Sequence, residues 1–300
     1  MSISPSLRLS GDVLSIGGLS ERLSVTHHHD VYPTIDPQVH YDAQTYKGKV
    51  VLVTGASRGV GLEAALHYAR AGASLLLVAR QQSTLDESKC TILEETPSAT
   101  VVTFPADVRD VSKAEEAVAT AIKHFGQLDI LIANAGIVRT VDQPFASKDP
   151  SGWWDVFDVN VRGVYNYVHF SVPELSKYKG KIIIVTSGAA QLRAHSTSEY
   201  GTSKHAINRF AEFVALEYPE IKVFSLHPGV IDTELNKLSK SPFPALDTLA
   251  LSAATFLYLT SGRADFLSGR YFSCNWDLGE VEQLKERIVG ENLLVAKLAV

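Results

Sequence analysis

Short apolar segments alternate with longer amphipathic ones from about residue 48 to residue 275. The short segments are rich in Val, Ile and Leu, which is typical of strands buried on both faces of a parallel sheet. The longer segments have the spacing of helices. The pattern therefore predicts a doubly wound α/β fold built on a parallel sheet. The predicted strands are residues 50–53, 74–78, 100–104, 130–133, 181–185, 222–226 and 270–273.

The two ends of the chain do not follow this alternation. Residues 1–46 are rich in Ser, His, Asp and Pro, which predicts an extension that lies on the domain or is partly disordered. We expect it to be dispensable for folding. Residues 276–300 form a predicted tail with a helical pattern over residues 280–288.

Three consecutive histidines at positions 27–29 are the clearest feature of the extension. They could suggest a metal site. Neighbouring residues of a regular element cannot all point at one ion, however, and no Cys or acidic residue is placed to complete a ligand set. We therefore interpret the histidines as part of a solvated loop, and no metal is predicted.

Composition excludes several classes of protein. With 300 residues and 45% hydrophobic content, the chain can bury a full core, and we favour one domain over residues 47–275. A net charge of −5 without a basic tract argues against a nucleic-acid partner.

Cys90 and Cys274 are far apart, as in proteins of a reducing compartment, so we predict a cytoplasmic location. The first residues lack the apolar run of a signal peptide or membrane span.

A glycine-rich turn links the first predicted strand to the helical segment 62–71. Residues 54–61 read Thr-Gly-Ala-Ser-Arg-Gly-Val-Gly. Gly55 permits a tight turn, Gly59 allows the backbone to approach a phosphate, and Gly61 allows the helix to pack on the sheet. Because a helix N-terminus after such a turn binds phosphate, the turn predicts a dinucleotide site.

Tyr200 and Lys204 are four residues apart on a predicted helix over residues 198–216, so both lie on one face. An ammonium about 4 Å from a phenol would bring the pKa of the phenol toward neutrality, as a general acid–base requires. The other candidate residues follow predicted strands, at the sheet edge where ligands bind in this fold. These strand-end residues are Gly55, Asp107, Asn134, Ser187 and Pro228.

The turn T-G-x-x-x-G-x-G, the Asn-Ala-Gly at 134–136 and the Tyr-x-x-x-Lys at 200–204 together resemble the single-domain branch of the short-chain dehydrogenase/reductase family. The resemblance covers roughly residues 47–275, and the end of the chain is similar to tails of fungal members, with Trp-Asp-Leu at 276–278, the helical pattern over 280–288 and Leu-Leu at 293–294. It implies a Rossmann fold and a catalytic tetrad. In that tetrad Tyr200 is the acid–base, Ser187 holds the substrate carbonyl, and Asn160 anchors a water that links Lys204 to solvent.

The second predicted strand ends Val-Ala-Arg, and Ala79 lacks the carboxylate with which NAD-preferring enzymes bind the ribose. Arg80 and Arg58 could instead flank a 2′-phosphate, so NADP(H) is predicted. The resemblance implies that Asp107 binds adenine, although Asp107 could also cap a helix. The predicted cofactor residues are Gly55, Ser57, Arg58, Gly59, Val60, Gly61, Arg80, Asp107, Val108, Asn134, Gly136, Tyr200, Lys204, Pro228, Gly229, Ile231 and Thr233.

Residues 234–246 contain two prolines and resemble the segment that covers the substrate in the family, so they are a predicted lid. The candidate pocket walls could equally belong to the core or to a subunit interface. These candidates are Trp153, Trp154, Leu192, His195 and Phe243.

The predicted function is NADP(H)-dependent reduction of a ketone or aldehyde to an alcohol, or the reverse, on a small-molecule substrate. The alternative from another class is a non-catalytic dinucleotide-sensing or interaction protein on the same fold. A third possibility is an enzyme that reduces a C=C bond or dehydrates its substrate. The resemblance also implies a homo-oligomer, dimer or tetramer, formed through the helices that carry Asn160 and Tyr200.

Overall fold

The computed structural model describes residues 16–139, 143–239 and 241–298. Within them, seven strands form one parallel sheet in the order β3-β2-β1-β4-β5-β6-β7. The doubly wound prediction is confirmed, and each predicted strand is present with its ends within one residue. The strands are β1 (Val50–Thr54), β2 (Ser74–Ala79), β3 (Val101–Pro105), β4 (Ile130–Ala133), β5 (Lys181–Val185), β6 (Lys222–His227) and β7 (Arg270–Ser273).

Helices cover both faces of the sheet. The described residues form α1 (Gln38–Asp42), α2 (Gly59–Arg70), α3 (Gln82–Glu95), α4 (Val111–Phe125), α5 (Pro150–Phe157), α6 (Gly163–Tyr178), α7 (Ser198–Glu217), α8 (Glu234–Ser239), α9 (Leu249–Thr260), α10 (Leu278–Gln283) and α11 (Lys285–Gly290). Helices α2, α3 and α9 pack on one face, and α4, α6 and α7 on the other. Within the described ranges, no helix has both the length and the apolarity that crossing a membrane requires.

Two helical segments differ from the prediction. The segment 280–288 is divided into α10 and α11, and the segment 154–167 is divided by a π-helical turn, Asp158–Arg162, between α5 and α6. This turn carries Asn160. Over so few residues, hydrophobic spacing does not distinguish a π-helical turn from an α-helix, and such turns are frequent at functional sites.

Residues 16–46 pack on the domain, and three of their apolar side chains are buried in its core: Tyr32, Ile35 and Tyr46. The hydroxyl of Tyr32 donates to the carbonyl oxygen of Trp276 at 3.0 Å and accepts from the N–H of Leu278 at 2.8 Å. These contacts argue against the expectation that the extension is dispensable for folding. Residues 1–15 of the extension lie outside the described residues.

The interpretation of the histidines as a solvated loop is wrong for His28, which is partly buried, whereas His29 keeps 55% of its side chain exposed but pairs with a buried carboxylate. The ring of His28 stacks on Tyr32 with centroids 3.8 Å apart, and its Nε2 lies 2.8 Å from Oδ2 of Asp277. The Nδ1 of His29 lies 2.5 Å from Oδ1 of Asp247. Both partners follow by more than 200 residues, so no local pattern indicated them.

Replacing Tyr32 with phenylalanine is expected to lower the free energy of unfolding by about 1–3 kcal/mol, because a buried N–H and a carbonyl oxygen lose their shared partner. Urea unfolding measures the change. The exposed Tyr165→Phe is the matched control and should shift stability by no more than about 0.5 kcal/mol. Equal stabilities of the two variants would contradict a stabilising role for the Tyr32 hydroxyl.

Candidate active site

The glycine turn lies at the carboxyl end of β1 and leads directly into α2. The side-chain amide of Asn134 closes it, donating to the carbonyl oxygens of Thr54 at 3.0 Å and Gly55 at 3.1 Å. Only glycine fits at position 61, because a Cβ there would lie 2.3 Å from the oxygen of Gly55. The N-terminus of α2 therefore opens beside a tightly folded turn, with backbone N–H groups that suit a phosphate.

The two arginines predicted to bind a 2′-phosphate have different surroundings. The guanidinium of Arg58 pairs with Glu234 of α8, and both side chains are largely exposed. Arg80 follows β2 and is exposed, and its charge contributes to the environment of Asp107. An exposed ion pair such as Arg58 with Glu234 is worth about 1 kcal/mol or less, so a bound phosphate can displace it.

Asp107 follows β3, as expected, but it does not cap a helix. Its carboxylate accepts from Nε and Nη2 of Arg109, at 3.0 and 2.7 Å, and these hydrogen bonds hold the pKa of Asp107 below its usual value. The cap of α4 is Asp110, which accepts from the backbone N–H of Lys113 at 3.1 Å. The N-cap interpretation of Asp107 is therefore wrong, because α4 begins four residues later.

The four predicted tetrad residues come together at the carboxyl ends of β4 and β5. Lys204 is buried, donates from Nζ to the carbonyl oxygen of Val185 at 2.9 Å, and lies 5.7 Å from the centroid of the Tyr200 ring. Ser187 follows β5, and its hydroxyl accepts from the N–H of Ala189 at 3.1 Å. The hydroxyl of Ser187 is also close enough to the phenol of Tyr200 to lower its pKa.

Asn160 joins this cluster through the loop after β4. Its Oδ1 accepts from the N–H of Ile137 at 2.8 Å, and its Nδ2 donates to the hydroxyl of Ser203 at 3.1 Å. A Cβ on Gly136 would lie 3.2 Å from Oδ1 of Asn160 and 3.4 Å from Nζ of Lys204. The π-helical turn thus places the buried, hydrogen-bonded amide of Asn160 next to the ammonium of Lys204.

Burial dominates the electrostatics of the pair on α7. It lowers the pKa of Lys204 to about 8, because the ammonium loses its hydration. Burial also raises the pKa of Tyr200, and the neighbouring Ser187 hydroxyl only partly opposes this. The lowered pKa expected for Tyr200 is therefore not found in the protein alone, because desolvation of the phenol outweighs the effect of the ammonium, which lies 5.7 Å from the ring centroid.

The lowered pKa of Lys204 predicts a pH dependence of stability. Its value of about 8 in the fold lies below the ordinary 10.5, so the unfolded chain binds the proton more tightly and stability rises between pH 8 and pH 10.5. In the cofactor-free protein, Lys204→Met should stabilise the fold by about 2–3 kcal/mol at pH 7 and flatten the profile between pH 8 and pH 10. Denaturation at several pH values measures this. A Lys204→Met variant whose stability rises between pH 8 and pH 10 as steeply as that of the parent would contradict the prediction.

An ion pair that the sequence did not indicate lies at the start of the helix that carries Tyr200. Nζ of Lys148 lies 2.6 Å from Oε1 of Glu199, and the carboxylate is fully buried. The same Nζ donates to the carbonyl oxygen of Ser196 at 2.6 Å. The partners are 51 residues apart, and the only signal in the sequence is an acidic residue in the first turn of a helix. This pair fixes the start of α7.

His227, the last residue of β6, was also missed. Its Nε2 lies 3.3 Å from where a Cβ on Gly188 would stand, so the ring is directly beneath the residue after Ser187. Burial lowers the pKa of His227 to about 4, which keeps the imidazole neutral at physiological pH. His227 lies near Ser187 only because β5 and β6 pair side by side in the sheet.

The segment from Pro228 to Thr233 faces the glycine turn. The methyl of Thr233 is 3.7 Å from where a Cβ on Gly59 would stand, and Ile231 is buried. The hydroxyl of Thr233 accepts from the N–H of Asn236 at 3.2 Å and so caps α8. Three further predicted cofactor residues are wholly or partly buried near this edge: Ser57, Val60 and Val108.

The candidate pocket walls separate into two groups. Trp153 is partly buried, donates from Nε1 to the hydroxyl of Ser198 at 3.1 Å, and stacks on Phe157. Trp154 is 61% exposed and borders a surface groove of about 380 Å³ on α5–α7, which fits the interface alternative better than the core. His195 is exposed, and two others are partly buried: Leu192 and Phe243.

The predicted lid over residues 234–246 consists of α8 and the segment 241–246, while residue 240 lies outside the described residues. Its role as a lid stays a prediction.

Comparisons with known proteins agree with this geometry. The family model described as short chain dehydrogenase matches residues 49–242. The short chain dehydrogenase mpl6 of Monascus purpureus is 37% identical over 282 residues, which cover 90% of this chain and 94% of that protein. The chain belongs to the short chain dehydrogenase family.

Solved structures show the same fold. Levodione reductase superposes with a TM-score of 0.72 at 25% identity, covering 79% of this chain and 99% of that one. The 3-ketoacyl-(acyl-carrier-protein) reductase from Brucella melitensis, complexed with NADH, gives a TM-score of 0.69 at 26% identity, covering 76% of this chain and 96% of that one. The protein is therefore an oxidoreductase that binds a nicotinamide dinucleotide, as family membership indicates.

Proposed function

We propose that the protein is an NADP(H)-dependent reductase of ketones or aldehydes, or in the reverse direction a dehydrogenase of secondary or primary alcohols. The observation that carries the proposal is the convergence of Ser187, Tyr200, Lys204 and Asn160 beside the glycine turn. A protein that only sensed a dinucleotide would have no need of a phenol, an ammonium and a serine hydroxyl in one place.

The residues present fit a nicotinamide dinucleotide. The turn closed by Asn134 and the N-terminus of α2 would hold the pyrophosphate, and Asp107 with Val108 would border the adenine. The backbone at Ile231 and the hydroxyl of Thr233 would hold the carboxamide of the nicotinamide. When bound, this group supplies or accepts the hydride.

The protein's own residues would handle the proton. Tyr200 donates its hydroxyl proton to the substrate oxygen as the carbonyl is reduced, and Ser187 orients that oxygen through a second hydrogen bond. Lys204 stabilises the phenolate that remains, because its ammonium is close and shielded from water. Asn160 would hold a water that returns a proton from solvent through Lys204.

The assignment of NADP(H) in preference to NAD(H) rests on Ala79, Arg80 and Arg58. Ala79 leaves no carboxylate at the end of β2 to bind ribose hydroxyls or repel a phosphate. Family membership does not decide between the cofactors, since the ketoacyl reductase structure holds NADH. The exposed guanidinium groups of Arg80, directly after this strand, and of Arg58, in the turn after the neighbouring strand β1, favour a phosphate.

The function is tested by a substrate screen with the full chain. Ketones, aldehydes, quinones and polycyclic alcohols are incubated with NADPH or NADP⁺, and the nicotinamide absorbance is followed. Turnover of at least one carbonyl compound, abolished in Tyr200→Phe, is expected. Tight NADPH binding without turnover of any compound would favour the sensing alternative, and mass spectrometry of products would reveal C=C reduction or dehydration.

We also propose that the protein is a cytoplasmic homo-oligomer, dimer or tetramer. Exposed aromatic side chains on α5 and α6 support the assembly: Trp154 and Tyr165 are 61% and 49% exposed and border the same groove. Large apolar side chains grouped on one surface are typical of interfaces. Both cysteines are free thiols, which fits a reducing compartment. Sedimentation velocity measures the assembly.

A further inference from the structure

Asp247 is a buried carboxylate at the meeting point of three segments of the chain. Its Oδ2 accepts from the N–H of Val230, and its Oδ1 accepts from Nδ2 of Asn275 at 2.8 Å. The Nδ1 of His29 lies 2.5 Å from Oδ1. The side chain of Asp247 is only 4% exposed, so these contacts supply the hydrogen bonds that a buried carboxylate needs.

The carboxylate packs directly against the turn that precedes the proposed carboxamide site. Gly229 has a φ of +97°, and a Cβ on it would lie 2.7 Å from Oδ2 of Asp247. The N–H of Asp247 also donates to the carbonyl oxygen of Val230 at 3.2 Å, so Val230 is held by both its N–H and its C=O. Because Ile231 follows directly, the position of Asp247 determines where the backbone at Ile231 lies.

The third contact comes from the N-terminal segment, and it is fixed by backbone bonds on either side. The carbonyl oxygen of His29 accepts from the N–H of Thr248 at 3.0 Å, next to Asp247. The backbone N–H of His28 donates to the carbonyl oxygen of Asn275 at 2.7 Å, and the side chain of Asn275 donates back to the oxygen of His28 at 3.0 Å. The imidazole of His29 is therefore presented to the carboxylate by a defined backbone.

We propose that Asp247 is a positioning residue for the nicotinamide end of the cofactor and that His29 sets its orientation. The N-terminal segment is in this way part of the cofactor site, although it lies outside the residues matched by the family model. The inference rests on the proposed function, since it assigns a role at the same site. It predicts that contacts to the nicotinamide half depend on His29, whereas contacts to the adenosine half do not.

The test compares His29→Ala with His28→Ala as a matched control, in the full chain. His28 lies on the same segment but contacts Asp277 and Tyr32, not Asp247. Affinities for NADPH and for adenosine 2′,5′-bisphosphate, which lacks the nicotinamide half, are measured by titration calorimetry. His29→Ala should weaken NADPH binding by about tenfold, because a hydrogen bond to a charged group is lost, and leave the bisphosphate affinity unchanged.

Four outcomes would overturn the proposal. If His29→Ala weakens both ligands equally, or if His28→Ala has the same selective effect, the segment acts only on overall stability and the proposal is wrong. His29→Asn, which keeps a donor for Asp247, should restore most of the NADPH affinity, and a failure to do so would also overturn it. If the parent binds neither NADPH nor NADH, the proposed function is wrong, and the positioning role that rests on it is wrong as well.

If the parent prefers NADH, the same comparison is made with NADH and ADP-ribose. Selective loss of NADH affinity in His29→Ala would then support the positioning role while the NADP assignment is withdrawn.

Discussion

Tyr200→Phe is expected to lower kcat by about 100-fold to 10,000-fold, which is the contribution of a positioned general acid–base. The change removes one hydroxyl, and with it the proposed proton donor. Lys204 keeps its bond to the carbonyl oxygen of Val185, so the site retains its shape. Steady-state kinetics with the best substrate of the screen and a direct titration with NADPH measure the two effects.

The affinity for NADPH should stay within about twofold of the parent, since no cofactor contact of comparable size is lost. Tyr218→Phe, just after the end of α7, is the matched control and should have parental kcat. Retention of more than a few per cent of the parental kcat in Tyr200→Phe would exclude Tyr200 as the acid–base.

Combining Ala79→Asp with Arg80→Leu is expected to reduce the preference for NADPH over NADH by about 100-fold or more. The aspartate restores a partner for the ribose hydroxyls and repels a 2′-phosphate, and the leucine removes a charge-assisted hydrogen bond worth about 1.5–3 kcal/mol. The measurement is the ratio of kcat/KM with the two cofactors on one substrate. Arg287→Leu, at an exposed arginine of α11, serves as the control.

The ion pair of Arg58 with Glu234 refines this experiment. Because Glu234 competes with a phosphate for Arg58, Glu234→Gln should raise the parental preference for NADPH, and reversal should be complete only when Arg58 is also replaced. A parent that already prefers NADH, or a double variant with the parental ratio, would show that both arginines are ordinary surface residues.

The sheet could be predicted from the sequence because its strands are buried on both faces, so that each one is a continuous apolar run bounded by polar residues. Strand β1, with all five residues buried, is an example. The strand order β3-β2-β1-β4-β5-β6-β7 does not follow from such runs. The π-helical turn at Asp158–Arg162 was missed because it changes the hydrogen bonding of the helix but hardly its pattern of apolar residues.

The candidate site likewise contains residues whose proximity the sequence predicts and others whose proximity it does not. Residues close in sequence, such as Tyr200 and Lys204, were predictable because helix geometry alone brings them together. The pairs of Lys148 with Glu199 and of His29 with Asp247 join positions 51 and 218 residues apart, and no local rule connects them. The charge of Glu199 alone did not indicate the ion pair, since a Glu at such a position is more often solvated than part of a buried pair.

The contacts of residues 28–32 also have a consequence for synthesis and folding. Their partners, such as Asp247 and Trp276, are synthesised more than 200 residues later. Residues 28–32 therefore cannot dock until these distant partners have been made, and contacts so distant in sequence form slowly. Until then the apolar side chains of Tyr32 and Ile35 remain exposed to water and to other chains, so we expect a chaperone to shield this segment during synthesis.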